Sequence, residues 1–299
     1  MTTQAQRGKP VAQLTLPSPA KINVFLRIVG KRPDGFHEIE SIMLPLDFGD
    51  RITLQLRKTS ITMECDNPDL PTNDSNLALR AANLFAATCP MERGVKIHLH
   101  KRIPLASGLG GGSSNAATVL RGLNQLWQAN ASPDQLDSMA AALGSDVNLF
   151  LRNQPAICRG RGEHVTPLPS RLNATVLLVN PGFGIATKWA YESWAKTSTL
   201  LTQPPPDVTL LARALADNDL AGVARGLYNS LEAPSIRKFP VLQLLKDTMI
   251  EQGAAGALMS GSGATVFGLF AKATDAETAA QKIRAEFGPS MWTQTAKCL

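Results

Sequence analysis

Between Lys21 and Arg27 apolar and polar side chains alternate, so Ile22, Val24 and Leu26 fall on one face of a predicted strand and Lys21, Asn23, Phe25 and Arg27 on the other. The turn signal Pro33-Asp34-Gly35 leads into a second predicted strand from Phe36 to Leu46, and Arg51 to Arg57 alternates again with Ile52, Leu54 and Leu56 inward. The period then changes. Leu77, Ala81, Leu84 and Phe85 recur at helical spacing over 76–88, and 96–103 return to strand. A helix is predicted over 115–128. Another opens on Ser132-Pro133-Asp134-Gln135, a capping box with proline in the first turn, and stops at Gly144.

The second half begins with a buried strand at 174–180, ended by Pro181-Gly182. Helical stretches fill 187–252, broken at Pro204-Pro205-Pro206, Pro234 and Pro240. A strand pair (256–260 and 264–270) around Gly261-Ser262-Gly263, a helix capped by Thr274 with Glu277 and running to Phe287, and a strand over 291–297 complete the pattern. Strand, helices, paired strands, helix, strand is the split βαβ layout of an α+β domain. Prolines and Ser170 interrupt the pattern at 165–173. The expected organisation is therefore a loose tail over 1–14, an N-terminal domain over 15–168 and a C-terminal domain over 169–299.

The 299 residues are 44% hydrophobic and 18% charged, enough for real cores and against disorder. The net charge of +6 invites an anionic partner, but lysines and arginines are scattered and aromatics are only 5%. That points away from nucleic acid and toward an anionic small molecule. Cys65, Cys89, Cys158 and Cys298 show neither metal nor disulfide spacing and read as reduced thiols of a cytoplasmic protein. His98 and His100 share a strand face without a third ligand nearby, so they read as exposed. Met1 to Pro10 shows no signal-peptide core, and no apolar run is long enough to span a membrane.

The strongest chemical signal is Pro104-Leu105-Ala106-Ser107-Gly108-Leu109-Gly110-Gly111-Gly112-Ser113-Ser114. It lies between a strand and an amphipathic helix, where glycines permit close backbone approach and a helix N-terminus offers free N–H groups. The segment suits phosphate. No lysine follows to make a P-loop, and the G-x-G-x-x-G spacing fails from either Gly108 or Gly110.

This segment resembles the second motif of the GHMP kinases. Ser18-Pro19-Ala20-Lys21-Ile22-Asn23 is similar to their first motif, and Leu258-Met259-Ser260-Gly261-Ser262-Gly263 to their third. The resemblance implies a two-domain α+β fold, with a ribosomal-protein-like N-terminal domain and a ferredoxin-like C-terminal domain. It implies ATP and Mg²⁺ as cofactors, with no unmistakable metal ligands; Ser114 is a candidate. Pro33-Asp34-Gly35-Phe36-His37, the Asp146 segment and Gly160-Arg161-Gly162-Glu163 look like a subgroup that phosphorylates a tertiary hydroxyl of a cytidylyl substrate in isoprenoid biosynthesis.

In that subgroup, positions matching Lys21 and Asp146 are the catalytic pair. Those matching Asn23, Phe36, His37, Arg161, Thr187 and Tyr191 face the cytidylyl substrate, and Lys101 and Asn76 resemble adenosine-side positions. From residue chemistry alone, Asp146 could be a general base or only a helix cap, and Lys21 a solvated strand lysine. Phe36 and Tyr191 could sandwich a base or belong to the core. Phe36 stands where tyrosine is common, and Arg161 where a small apolar residue is usual. The other readings are a homoserine- or mevalonate-type kinase and a non-catalytic ligand sensor. A monomer or weak homodimer is expected.

Overall fold

The structure, a computed structural model, describes residues 12–91, 93–197 and 205–299. Two long strands organise it, β1 (Gln13–Lys31) and β2 (His37–Arg57). Then come β3 (Ile61–Cys65), α1 (Leu77–Thr88), β4 (Gly94–His100), α2 (Gly111–Trp127), α3 (Pro133–Leu143) and α4 (Val147–Arg152). A hairpin of β5 (Ala156–Gly160) and β6 (His164–Pro167) precedes β7 (Thr175–Asn180). After α5 (Thr187–Thr197), α6 (Val208–Ala216) and α7 (Leu220–Gly226), the two-residue β8 (Tyr228–Asn229) is followed by α8 (Glu232–Lys238) and α9 (Val241–Glu251). The chain closes with β9 (Gly256–Met259), β10 (Val266–Phe270), α10 (Ala273–Phe287) and β11 (Trp292–Lys297).

β1 and β2 pair antiparallel from Gln13↔Gln55 to Lys31↔His37. The far edge of β2 is shared: its first part carries β5 and its last part β4, which in turn pairs with parallel β3. β8, from the second half of the chain, adds to β1 in parallel. The second sheet has the order β11-β7-β10-β9, antiparallel throughout, which realises the split βαβ layout.

Three packed layers of apolar side chains result. One face of the first sheet (Ile52, Leu54, Val95, Ile97) is covered by α1, α2 and α3 through Phe85, Leu123 and Met139. Ile22, Val24, Leu44 and Leu46 meet Val176, Leu178, Phe267 and Leu269 of the second sheet. The opposite side chains of that sheet, Leu177, Val179, Val266 and Phe270, bury against α9 and α10. A β1 strand covered on both sides accounts for the full burial of Lys21 and Asn23, which solvated strands do not impose.

Several expectations are corrected. The strands expected at 36–46 and 51–57 are one continuous β2, because pairing with β1 resumes at Pro19↔Gly49 and Ser18↔Asp50 after a register shift that leaves Leu46–Phe48 unpaired with β1. β1 reaches back to Gln13, so Gln13 and Leu14 are strand rather than tail; residues 1–11 lie outside the described residues. Strict alternation fails after Asn23, where a bulge shifts the register to Phe25↔Ile42 and sends Leu26 and Ile28 into a different cluster from Ile22 and Val24. The glycine run is itself helical from Gly111, four residues earlier than expected. Thr274 does not cap α10, which begins after Lys272, and its hydroxyl donates instead to Asp275. The short β3, β5, β6 and β8 were not foreseen.

Candidate active site

A cavity of about 1040 Å³ runs along the seam between the two sheets, walled by the glycine loop, the N-terminus of α2, the β1–β2 hairpin and α5. The loop owes its shape to φ of +79° at Gly108 and +74° at Gly110. A β-carbon on Gly108 would overlap the carbonyl oxygen of Ser260, and one on Gly110 would stand 2.9 Å from the Phe150 ring. Gly110 caps α2 with no side chain, leaving the first-turn N–H groups without intrahelical partners beside the cavity.

The loop is held from below by a carboxylate. Asp50, fully buried, accepts from the backbone N–H groups of Arg102 (2.7 Å) and Ile103 (2.8 Å), from Lys101 Nζ (2.5 Å) and from Asn115 Nδ2 (3.0 Å). Asn115 also donates to Ser18 Oγ, which shares a 2.9 Å hydrogen bond with Ser114 Oγ. Asp50 thus ties the segment entering the loop to the helix leaving it. Sequence reasoning missed it, since nothing local marks a lone aspartate as an anchor.

Lys21 enters from β1. Its ammonium donates to Asn23 Oδ1 (2.6 Å) and to Gly108 O (2.9 Å) and lies 3.7 Å from Asp146 Oδ2. Burial pulls its pKa below the usual lysine value, and the Asp146 carboxylate opposes that shift. Asn23 is oriented in turn, its Nδ2 donating to Ser41 Oγ (2.8 Å). The Ser41 hydroxyl donates onward to Phe25 O (2.6 Å), beside the bulge where the β1 register shifts. Ser260 Oγ donates to Gly108 O (3.1 Å) from the second sheet's glycine loop. Asp146 precedes α4 but makes no side-chain cap hydrogen bond, and its side chain is 26% exposed. The cap reading of Asp146 therefore finds no support, and neither does a solvated Lys21.

At the other end, His37 stacks on Tyr191, with centroids 5.0 Å apart, and meets Trp194 edge-on. Burial and the Lys31 charge hold the His37 pKa below its usual value, while burial and Asp146 raise that of Tyr191. Phe36, 53% exposed, is no core residue; the Arg161 guanidinium lies over its ring at 5.0 Å. Its ring faces Arg161 rather than Tyr191, and the face of Tyr191 is taken by His37. Thr187 Oγ1 and Ser262 Oγ share a hydrogen bond across the seam.

The cavity wall brings together Lys21, Asp146, Asn23, Phe36, His37, Arg161, Thr187 and Tyr191 with Asn76, Lys101, Pro104, Leu105, Ala106, Ser107, Gly108, Gly110, Gly111, Gly112 and Ser113. Leu109 and Ser114 do not line it: both are fully buried, Leu109 in the apolar core and Ser114 on Ser18. Asn76 uses its carbonyl to cap α1 and its amide on Pro71 O. The described residues contain no group of three or more His, Cys, Asp or Glu arranged to hold a metal ion. Ser41 and Asp50 are the supporting residues that sequence reasoning overlooked.

The model of the GHMP kinases N terminal domain matches residues 76–161, and that of the GHMP kinases C terminal domain residues 211–289. A 4-diphosphocytidyl-2-C-methyl-D-erythritol kinase from Synechococcus sp. (strain JA-3-3Ab) is 41% identical over 262 residues, covering 86% of this chain and 85% of that protein. One from Geobacter metallireducens is 40% identical, covering 90% and 94%. A crystal structure of 4-(cytidine 5'-diphospho)-2C-methyl-D-erythritol kinase matches with a TM-score of 0.78 at 35% identity, over 95% of this chain and 99% of that one. A homoserine kinase from Cytophaga hutchinsonii, with a TM-score of 0.73 at 19% identity over 100% and 97%, shares the fold.

Proposed function

The chain belongs to the GHMP kinase family of ATP-dependent kinases, and we propose that it phosphorylates the 2-hydroxyl of 4-diphosphocytidyl-2-C-methyl-D-erythritol in non-mevalonate isoprenoid biosynthesis. The observation that carries the reading is the buried Lys21 ammonium 3.7 Å from the partly exposed Asp146 carboxylate, between the glycine loop and the aromatic wall. Phosphoryl transfer asks the protein for positioning, charge neutralisation and a proton acceptor. Asp146 takes the proton of the acceptor hydroxyl. Lys21, 3.7 Å from Asp146, places a positive charge beside the base and steadies the transferring phosphoryl group. The loop from Pro104 to Ser113 and the α2 N-terminus cradle the nucleotide phosphates, with Asn76 and Lys101 on the adenosine side.

Mg²⁺ would enter with ATP, held mainly by phosphates and water, at a wall whose carboxylates are Asp69, Asp146 and Glu192. When bound, it neutralises charge on the β- and γ-phosphates. Of the two hydroxyls at the start of α2, Ser113 rather than the buried Ser114 lies in the cavity wall. We place the protein in the cytoplasm as a monomer or weak homodimer; no described helix is long and apolar enough to cross a membrane. We divide the chain at 168/169, with Tyr228–Asn229 reaching back to the first sheet.

The test is ADP release from Mg²⁺ and ATP with four acceptors: the cytidylyl substrate, homoserine, mevalonate and galactose. Turnover with the first alone is expected. Turnover only with one of the others would overturn the assignment.

A further inference from the structure

Building on that acceptor assignment, we propose that Arg161 recognises the acceptor's diphosphate, a charge-reading role supplied by a side chain in the β5–β6 turn. The acceptor's covalent order is polyol, diphosphate, cytidine. The wall runs in the same order. A β-carbon on Gly162 would lie 3.5 Å from Asp146 Oδ1, so the backbone beside Arg161 abuts the carboxylate that faces the reacting hydroxyl. The Arg161 guanidinium extends the other way, over the Phe36 ring of the aromatic end. A diphosphate joining those two ends passes this guanidinium.

The charge is available. Among the cavity's cations, Lys21 is engaged by Asn23, Gly108 and Asp146, and Lys101 by Asp50. Lys188 pairs with Glu192 on the exposed side of α5. The partner of Arg161 is Glu163, whose Oε2 accepts from the Arg161 backbone N–H at 2.6 Å and whose Oε1 is 3.7 Å from Nε. Glu163 thereby fixes the turn. Neither terminal nitrogen of Arg161 donates a hydrogen bond to any described residue, which leaves the planar fork that matches phosphate oxygens free. Asp34, whose carboxylate also feels the Arg161 charge, is engaged by Arg32.

Titration calorimetry of the whole protein with cytidine and with CDP as probes tests this. Wild type binds CDP at least tenfold more tightly than cytidine. Arg161→Gln loses most of that preference with cytidine affinity unchanged, and Arg161→Lys restores part of it. In turnover, Arg161→Gln raises KM for the cytidylyl acceptor about tenfold or more, the scale of a charge-assisted hydrogen-bond pair, with kcat and the ATP KM within about twofold. A retained CDP preference in Arg161→Gln overturns the proposal. So does tighter cytidine binding, which would make Arg161 a cover over Phe36. Failure of wild type to bind either probe overturns the acceptor assignment itself, a result distinct from the other two.

Discussion

Gly108→Ala and Gly112→Ala, two identical changes four residues apart, should have opposite consequences. At Gly108 the added methyl meets the carbonyl oxygen of Ser260 and the nitrogen of Gly263, both backbone, at a φ of +79°. Left-handed backbone costs a residue with a β-carbon about 1–2 kcal/mol. Overpacking against atoms that cannot turn aside adds roughly 1–3 kcal/mol. The sum, about 2–5 kcal/mol, lowers the melting temperature by roughly 4–10 °C at about 2 °C per kcal/mol for a chain of this length. The loop must also shift, and Gly108 O is the atom that accepts from Lys21 and Ser260. ATP affinity and kcat therefore fall together. At Gly112 the methyl finds Leu77 Cδ1 at 3.5 Å, ordinary contact, inside a helix. Alanine there gains up to about 1 kcal/mol of helix propensity. Scanning calorimetry with ATP titration decides. Equal melting temperatures and equal ATP affinities for the two variants would refute the argument that the loop's shape rests on Gly108.

Asp146→Asn should lower kcat roughly 10²–10⁴-fold with little change in ATP affinity, since a base acts in the transition state; steady-state kinetics showing near-normal turnover would contradict it. The alkaline limb of kcat should fall below the ordinary lysine value of 10.5, because burial lowers the Lys21 pKa: the ammonium is present below the limb and lost as pH rises through it. A pH–rate profile flat beyond that value would exclude the ammonium from the reaction. Ser41→Ala frees the Asn23 amide to rotate, removes the carbonyl that favours charged Lys21, and so moves the limb to still lower pH, with kcat down about fivefold for about 1 kcal/mol. Ser41→Thr should return the profile whatever its melting temperature, and an unmoved limb in Ser41→Ala would show that Ser41 is only structural.

Features with a local cause were legible. The Ser132–Gln135 capping box forms as written, and Gly144 ends α3. The glycine loop and its flanking strand and helix were readable because each depends on a few adjacent residues. Asp50 and Ser41 were not, because their partners lie elsewhere along the chain: Asp50 on Lys101 and Asn115, Ser41 on Asn23 and Phe25. The bulge at Asn23 escaped a period-two reading for a similar reason, since a register shift is a property of two strands rather than one. α2 was placed four residues late because glycine propensity argues against helix. Glycine stands in the helix here because a β-carbon at Gly111 would be only 3.2 Å from Lys101 Nζ and 3.3 Å from Ile103 Cγ2. The Arg161–Phe36 and His37–Tyr191 pairings were equally beyond a reading that treats each aromatic by itself.

The Ser260 hydroxyl on Gly108 O, with Asn229 Nδ2 donating to Met259 O and Gly261 O, sets an order of events at the ribosome. A nascent chain that has displayed Lys21, the glycine run and Asp146 still lacks the strap that sets Gly108 O, because that strap is translated 152 residues after Gly108. Domains fold as they emerge, at about 5–20 residues per second, so a chain complete through Asp146 waits roughly 6–23 s for Ser260, 114 residues further on. During that interval ATP cannot act as a template that selects the native half-structure, because a ligand stabilises only the state that binds it. Nucleotide rescue of a destabilised variant should accordingly act on the released, full-length chain and leave stalled ones unprotected.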